Sequence, residues 1–298
     1  MIQPTPLRKN DTVVIVSTAR KISSSELEPA IQWLHESGFQ VELSPYLFEV
    51  ENQFAGSDEI RRKSLQWALD HPTAKAIWCA RGGYGTARIL DDLDWTQFTI
   101  QPKWITGYSD ITALHGLLQA KGYASIHSTM PINVATNTKE ALDSLYLAWT
   151  GTPSTLEAEA HALNKIGSAK GVLVGGNLSV LYSTLGSPSQ PPLGNCILFL
   201  EDLDEYLYHI DRMMLNLSRN GWWEKISAVV VGGMTDMNDN TIPFGSSAVE
   251  TIARHIAPFK IPLGFNFSAG HIDDNEALIL GTTYNLLVGK SGSILRPE

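Results

Sequence analysis

The segment GYSDITALHGLL, residues 107 to 118, sets Ser109 at the corner between an apolar, strand-like run ending WIT and a helical pattern. Two chemistries fit that corner. A hydroxyl there caps the helix by accepting a backbone N–H, and Asp110 can share the duty. The same corner is where a nucleophile elbow exposes its hydroxyl, with the following N–H aimed at a developing oxyanion. GYSDI supplies only half of the G-x-S-x-G pattern, because Ile111 stands where the second glycine belongs. Position alone favours the cap.

A serine nucleophile needs a base, so the histidines decide between the readings. His35 and His255 fall on polar helix faces and His71 in a helix-terminating DHP, where solvation is expected. His115, inside the helix that begins at Ser109, and His209, beside IDRMM, read as packing groups on helical faces. His127 in SIHSTMP and His271 in FSAGHIDD follow apolar, strand-like segments in loops. Loops on a rigid scaffold are where reactive groups are usually mounted, so these two are the candidates.

Other motifs are incomplete. RGGYGTAR, residues 81 to 88, follows a strand and precedes a helical pattern, but Arg88 occupies the third glycine position of G-x-G-x-x-G, and no P-loop Gly-Lys-Ser/Thr follows. A tight turn presenting N–H donors remains, a geometry that serves an oxyanion as well as a phosphate. HExxH, CxxC and EF-hand spacings are absent, and the acidic clusters EDLDE (201 to 205) and HIDDNE (271 to 276) lack a ligand spacing, so no metal is expected.

The elements that must position these groups alternate through the first half: TVVIVS, SSELEPAIQWLHESG, QVELSP, SDEIRRKSLQWALDHP, KAIWCA, YGTARILDDL, KWITGY and DITALHGLLQAKG. Short Val/Ile runs mark strands and apolar spacings of three or four mark helices, which argues a parallel sheet covered by helices. Ser23 to Ser25 offer caps, and Gly38 and Gly122 stop helices. Near residue 150 the texture becomes small and polar. The expected organisation is an N-terminal α/β domain over 1–150, a linker over 151–167 and a C-terminal mixed α/β domain over 168–298. In the latter, GVLVGG, CILFLED, AVVVGG and PLGFNFSAG read as strands, with helices between the first three and after AVVVGG, and GKSG marks a closing hairpin. Three strands end in paired glycines, AIWCARGG, GVLVGG and AVVVGG, which suits either close backbone approach to a ligand or a tight turn.

At 298 residues the chain is long enough for two cores. Forty-three per cent hydrophobic and 18% charged residues describe an ordinary globular protein. A net charge of −9 with no Lys/Arg block removes the electrostatic footprint of a nucleic-acid binder or anionic-membrane partner. Cys79 and Cys196 sit in apolar runs and are expected as buried reduced thiols. The N-terminal apolar run is too short for a signal-peptide core, and no run reaches the roughly 20 residues of a membrane span. A cytoplasmic protein is the expectation.

FAGSDEIRRKSLQWALDHPTAKAIWCARGGYGTARILDDLD, ITGYSDITALH, VGGNLSVL, FLEDLDEYLYHIDRMM and the pair Gly270-His271 occur in order over most of the chain. Together they resemble the LD-carboxypeptidase family of serine peptidases. The resemblance implies a triad in the order Ser109, Glu201, His271, with His271 as general base and Glu201 fixing its tautomer. It places oxyanion donors at the backbone N–H groups of Asp110 and of Gly82 or Gly83. It also implies a flavodoxin-like N-terminal domain, a swivelling-type C-terminal domain, an active site in the groove between them, a homodimer, and no metal or organic cofactor. The family's best-known activity is cytoplasmic recycling of cell-wall peptides, in which the terminal D-alanine of a murein tetrapeptide is cut from the L-centre of diaminopimelate or lysine. Such a substrate carries several carboxylates, so Arg81 and Asn177 are candidate contacts, and His127 is a further one.

Two loops depart from the family's pattern. The first strand ends in VSTAR, where a proline-serine pair is common in relatives, and SIHSTMP lacks the glycine-proline that usually follows its histidine. These departures bear on specificity rather than chemistry. An alternative within the family is a microcin C self-immunity type peptidase acting on an aminoacyl- or peptide-nucleotide. Such relatives tend to be longer and need an aromatic platform for adenine, for which Trp222 and Trp223 are not obviously placed. A non-catalytic binder of a small anion is a third reading, disfavoured by the presence of all three triad residues.

Overall fold

The computed structural model describes residues 1–298. The first half runs β1 (Thr12–Val16), α1 (Ser24–Glu36), β2 (Gln40–Leu43), α2 (Asp58–Asp70), β3 (Ala74–Cys79), α3 (Thr96–Ile100), β4 (Trp104–Gly107), α4 (Thr112–Ala120), β5 (Ser125–His127) and α5 (Lys139–Thr150). Its strands pair in parallel in the order β2-β1-β3-β4-β5, the flavodoxin-like winding that the family resemblance implies. Successive side chains enter opposite cores. Val13, Ile15, Ala76 and Trp78 pack with Leu27 and Trp149 on one face; Val14, Val16, Ile77 and Cys79 pack with Leu65 and Leu114 on the other. Burial on both faces is why these strands read as continuous apolar runs. In this winding the chain leaves β1 and β3 in opposite directions, and the crevice at their carboxyl ends is the usual ligand position of open α/β sheets.

The second half runs β6 (Leu156–Glu159), β7 (Gly167–Asn177), α6 (Leu178–Ser183), β8 (Cys196–Leu203), α7 (Leu207–Arg219), β9 (Ala228–Thr235), α8 (Ala248–Ile256), β10 (Leu263–Gly264), β11 (Leu278–Leu280), β12 (Thr283–Val288) and β13 (Gly292–Pro297). Seven strands form a second sheet in the order β10-β9-β8-β7-β12-β13-β6, parallel from β10 to β7 and antiparallel beyond. The GKSG signal closes the β12–β13 hairpin.

Several local expectations change in the structure. The stretch read as a linker contains β6, which pairs with β13 at the edge of the second sheet. The late chain also returns to the first sheet, where β11 pairs antiparallel with β5. Leu278 and Leu280 of β11 pack into the same core as Ile197, Phe199 and Val230, so one three-residue strand ties the two sheets together. YGTARILDDL makes only a 3₁₀ turn at Thr86–Ile89, where the Gly85 carbonyl accepts both the Arg88 N–H and the Arg61 guanidinium and the Thr86 N–H is anchored on Asp110. PLGFNFSAG is a strand only at Leu263–Gly264; Asn266, at φ +67°, breaks the extension. His71 is buried rather than solvated, with its ring hydrogen-bonded to Glu42 and to the backbone of Ala74.

The interface between the halves is tight at α4. A Cβ on Gly116 would stand 1.9 Å from the Ser189 carbonyl oxygen. Ala is favoured over Gly by about 1 kcal/mol inside a helix, but forcing atoms into a packed backbone contact costs about 1–3 kcal/mol or more. Gly116→Ala is therefore expected to lower the melting temperature by several degrees, and a rise in thermal unfolding would contradict this packing.

Candidate active site

The end of β4 delivers the serine. Ser109 has φ +64°, the left-handed region that a side chain disfavours, and its strand-to-turn corner is held by contacts from three directions. Gly107 leaves room for Ile111 to fold back over it: a Cβ there would stand 2.9 Å from Ile111 Cγ1. The Gly107 carbonyl accepts from His115 Nε2 at 2.8 Å, and Ser125 Oγ donates to Nδ1 of the same ring at 2.8 Å. Burial pushes the His115 pKa down to about 4, which keeps the ring neutral and fixes one donor and one acceptor. Asp110 is buried and accepts the Thr86 N–H at 2.8 Å, so its side chain locks the glycine-rich turn to the serine corner instead of capping a helix.

The histidine that meets Ser109 comes from the second half of the chain. Ser109 O–H donates to His271 Nε2 at 3.1 Å, across 162 residues of sequence. His271 Nδ1–H donates to Glu201 Oε2 at 2.7 Å, and the His271 backbone N–H donates to the same oxygen at 3.2 Å. Glu201, near the carboxyl end of β8, is fully buried. Gly270, at φ +109°, makes that approach possible: a Cβ there would lie 2.7 Å from Glu201 Cβ. Burial disfavours the imidazolium, but the charge and hydrogen bond of Glu201, with Asp202 beyond, outweigh it and raise the His271 pKa above the ordinary 6.5. The arrangement can move a proton from a hydroxyl to an imidazole and hold the resulting cation.

These groups open on a cavity of about 390 Å³ lined by Arg20, Arg81, Gly82, Gly83, Tyr108, Met130, Ile132, Asn133, Leu203 and Asp204 as well as Ser109 and His271. It lies at the carboxyl ends of β1, β3 and β4, the crevice the winding creates. A larger depression of about 730 Å³ over β7, β12 and β13 holds no serine–histidine pair and no carboxylate but Glu298. Neither the Gly82 nor the Gly83 N–H donates within the chain, so both are available to an oxyanion.

The chain belongs to the LD-carboxypeptidase family. Its N-terminal domain model matches residues 13–128 and its C-terminal domain model residues 170–286. A Bacillus subtilis relative, named a probable murein peptide carboxypeptidase, is 35% identical over 94% of this chain and 89% of its own. The crystal structure of muramoyltetrapeptide carboxypeptidase from Oxalobacter formigenes superposes with a TM-score of 0.87 at 26% identity, covering 96% of this chain and 98% of that one. A microcin C7 self-immunity protein superposes equally well, TM-score 0.87, covering 100% of this chain and 99% of that one, but at 19% identity it shares the fold alone. The protein is thus a serine-type hydrolase of two α/β parts.

Among the residues singled out from the LD-carboxypeptidase resemblance, Ser109, His271 and Glu201 meet, and Gly82, Gly83 and Arg81 line the cavity. Asn177 and His127 do not reach it. Asn177 caps α6, accepting the Val180 N–H, and donates to Asp202. It helps hold a carboxylate whose pKa burial and the neighbouring Glu201 charge push up to about 7. His127 is fully buried, its ring 4.9 Å from that of Phe199 and 5.7 Å from that of Tyr108, and burial drives its pKa well below 6.5. Sequence reasoning missed Arg20, Tyr108, Asn133 and Asp204. Tyr108 packs its ring 4.7 Å from His271 and donates to Asn133. Arg20 sits in VSTAR, Asp204 in the EDLDE cluster and Tyr108 in GYSDI, so three of the four stood in stretches the sequence already marked.

Proposed function

We propose that Ser109, His271 and Glu201 form the catalytic triad of an LD-carboxypeptidase that releases the terminal D-alanine of murein tetrapeptides. His271 Nε2 takes the Ser109 proton as Oγ attacks the carbonyl of the L-centre, and Glu201 holds the imidazolium that forms. The Asp110 N–H and one from Gly82 or Gly83 receive the oxyanion. The imidazolium then protonates the D-alanine amine as the C–N bond breaks, and a water molecule, deprotonated by the same imidazole, hydrolyses the acyl-enzyme. The observation that carries this reading is the unbroken hydrogen-bond chain from Ser109 through His271 to Glu201, joined across the two sheets.

Mass spectrometry of a tetrapeptide digest tests it, run beside an aminoacyl-nucleotide of microcin type. D-alanine release with the nucleotide untouched is the expected result; cleavage of the nucleotide alone would move the assignment to the self-immunity type. The cavity favours the peptide, since no tryptophan lines it and Trp222 and Trp223 are buried in the second domain's core.

The acid limb of the pH profile follows from His271. Only the neutral ring accepts the serine proton, and its pKa is raised, so kcat/KM should climb with pH through a single ionisation centred above 6.5. A limb centred well below 6.5 would contradict His271 as the base.

The reading extends to a cytoplasmic enzyme working in cell-wall recycling, as a homodimer. Cys79 and Cys196, both buried free thiols, fit a reducing compartment. Cell fractionation and sedimentation equilibrium check the two points.

A further inference from the structure

An exopeptidase must tell a chain end from an internal bond, and the distinguishing group is the terminal carboxylate. Two arginines line the cavity, Arg20 from the β1 loop and Arg81 from the β3 loop. Arg81 is engaged: its guanidinium lies 3.5 Å from Glu26 and donates to the Lys21 carbonyl at 3.4 Å. The arginine–carboxylate pairs of the chain are Arg61–Asp58, Arg81–Glu26 and Arg88–Asp58, and Arg20 is in none of them. Its position is nonetheless specified. The Arg20 N–H donates to the Gly82 carbonyl at 3.3 Å, and its side chain lies on Gly83, where a Cβ would meet Cδ at 2.5 Å and Nε at 2.7 Å. The same turn abuts the nucleophile, for a Cβ on Gly82 would stand 3.0 Å from Ser109 Cβ.

We infer that Arg20 binds the C-terminal carboxylate of the peptide and so makes the enzyme cut one residue from the chain end. This assignment rests on the carboxypeptidase function proposed above. The terminal carboxyl carbon lies one residue beyond the scissile carbonyl, about 3.6 Å at most, so a group one turn residue away from the serine corner is at the right remove. A guanidinium matches a carboxylate with two parallel N–H donors, which an ammonium cannot do. Asp204, brought to the cavity by the other sheet and held by Asn238, adds negative charge that turns the carboxylate end toward Arg20.

The test compares kcat/KM for a tetrapeptide ending in D-alanine with that for the same peptide ending in D-alaninamide, in wild type, Arg20→Gln, Arg20→Lys and Arg81→Gln. Wild type is expected to prefer the free acid by about 10²-fold, the scale of losing a hydrogen bond to a charged group. Arg20→Gln should bring that preference to within about threefold, Arg20→Lys should restore part of it, and Arg81→Gln should keep most of it. Thermal unfolding of Arg20→Gln should match wild type, since the side chain is exposed. A preference that survives Arg20→Gln, or that falls in Arg81→Gln instead, overturns the assignment while leaving the carboxypeptidase reading intact. Equal cleavage of acid and amide by wild type overturns it as well. Wild type that cleaves neither peptide overturns both readings together.

Discussion

Replacing Ser109 by alanine is expected to lower kcat for D-alanine release by on the order of 10⁶-fold, as loss of a triad nucleophile does, with the melting temperature unchanged within a degree or two. The hydroxyl makes one hydrogen bond, to His271, and no core contact depends on it. Ser109→Gly should be equally inactive yet more stable than the alanine variant, by up to about 1 kcal/mol, because glycine adopts φ +64° without the steric penalty a Cβ incurs. A fluorophosphonate should label wild type and neither variant. Activity retained in Ser109→Ala would exclude the nucleophile, and a glycine variant less stable than the alanine one would remove the case for stored strain. The comparison links backbone to function: the conformation that exposes the hydroxyl costs stability, and Gly107, His115 and Asp110 supply the contacts that hold it.

Glu201→Gln is the second large effect, a fall in kcat of about 10⁴-fold with the fold retained. The amide can present its NH₂ to His271 Nδ1, which then becomes the acceptor and leaves the proton on Nε2, facing Ser109. A ring protonated there cannot take the serine proton. The change also removes the charge that raises the His271 pKa while the burial that lowers it remains, so the imidazole should titrate below its wild-type value. Proton NMR of the ring reads this directly, independent of turnover. A pKa unmoved by Glu201→Gln, or a fall in kcat of less than tenfold, would show that the carboxylate does not govern the base. Glu201 is fully exchanged from water for protein and Oε1 has no partner, so removing its charge should not unfold the protein.

Much of the scaffold was legible because it is written in short-range pattern. The Val/Ile runs of β1 and β3 and the helical spacing of α2 and α5 each report on residues within a turn or two of one another. Ser23 with Glu26, and Ser247 with Glu250, close capping boxes of the kind a sequence announces. Where tertiary contacts compete, the local pattern misled. Thr86–Ile89 is a 3₁₀ turn anchored by Asp110 and Arg61, His71 went inside because Glu42 and the backbone satisfy its ring, and the segment after residue 150 became an edge strand because β13 was there to pair with it.

The sequence by itself determined the alternation of strands and helices, the glycine-tipped turns, the absence of metal-ligand spacings and the short set of residues able to do acyl chemistry. Only the tertiary structure decided which of them meet. It put His271 rather than His127 against Ser109, withdrew Asn177 into a cap, tied Arg81 to Glu26 and left Arg20 free over Gly83. The reason is physical: periodicity encodes the burial of a residue relative to its neighbours in the chain. Residues 109, 201 and 271 come within hydrogen-bond reach of one another only where two sheets, sealed by β11, hold three distant side chains together.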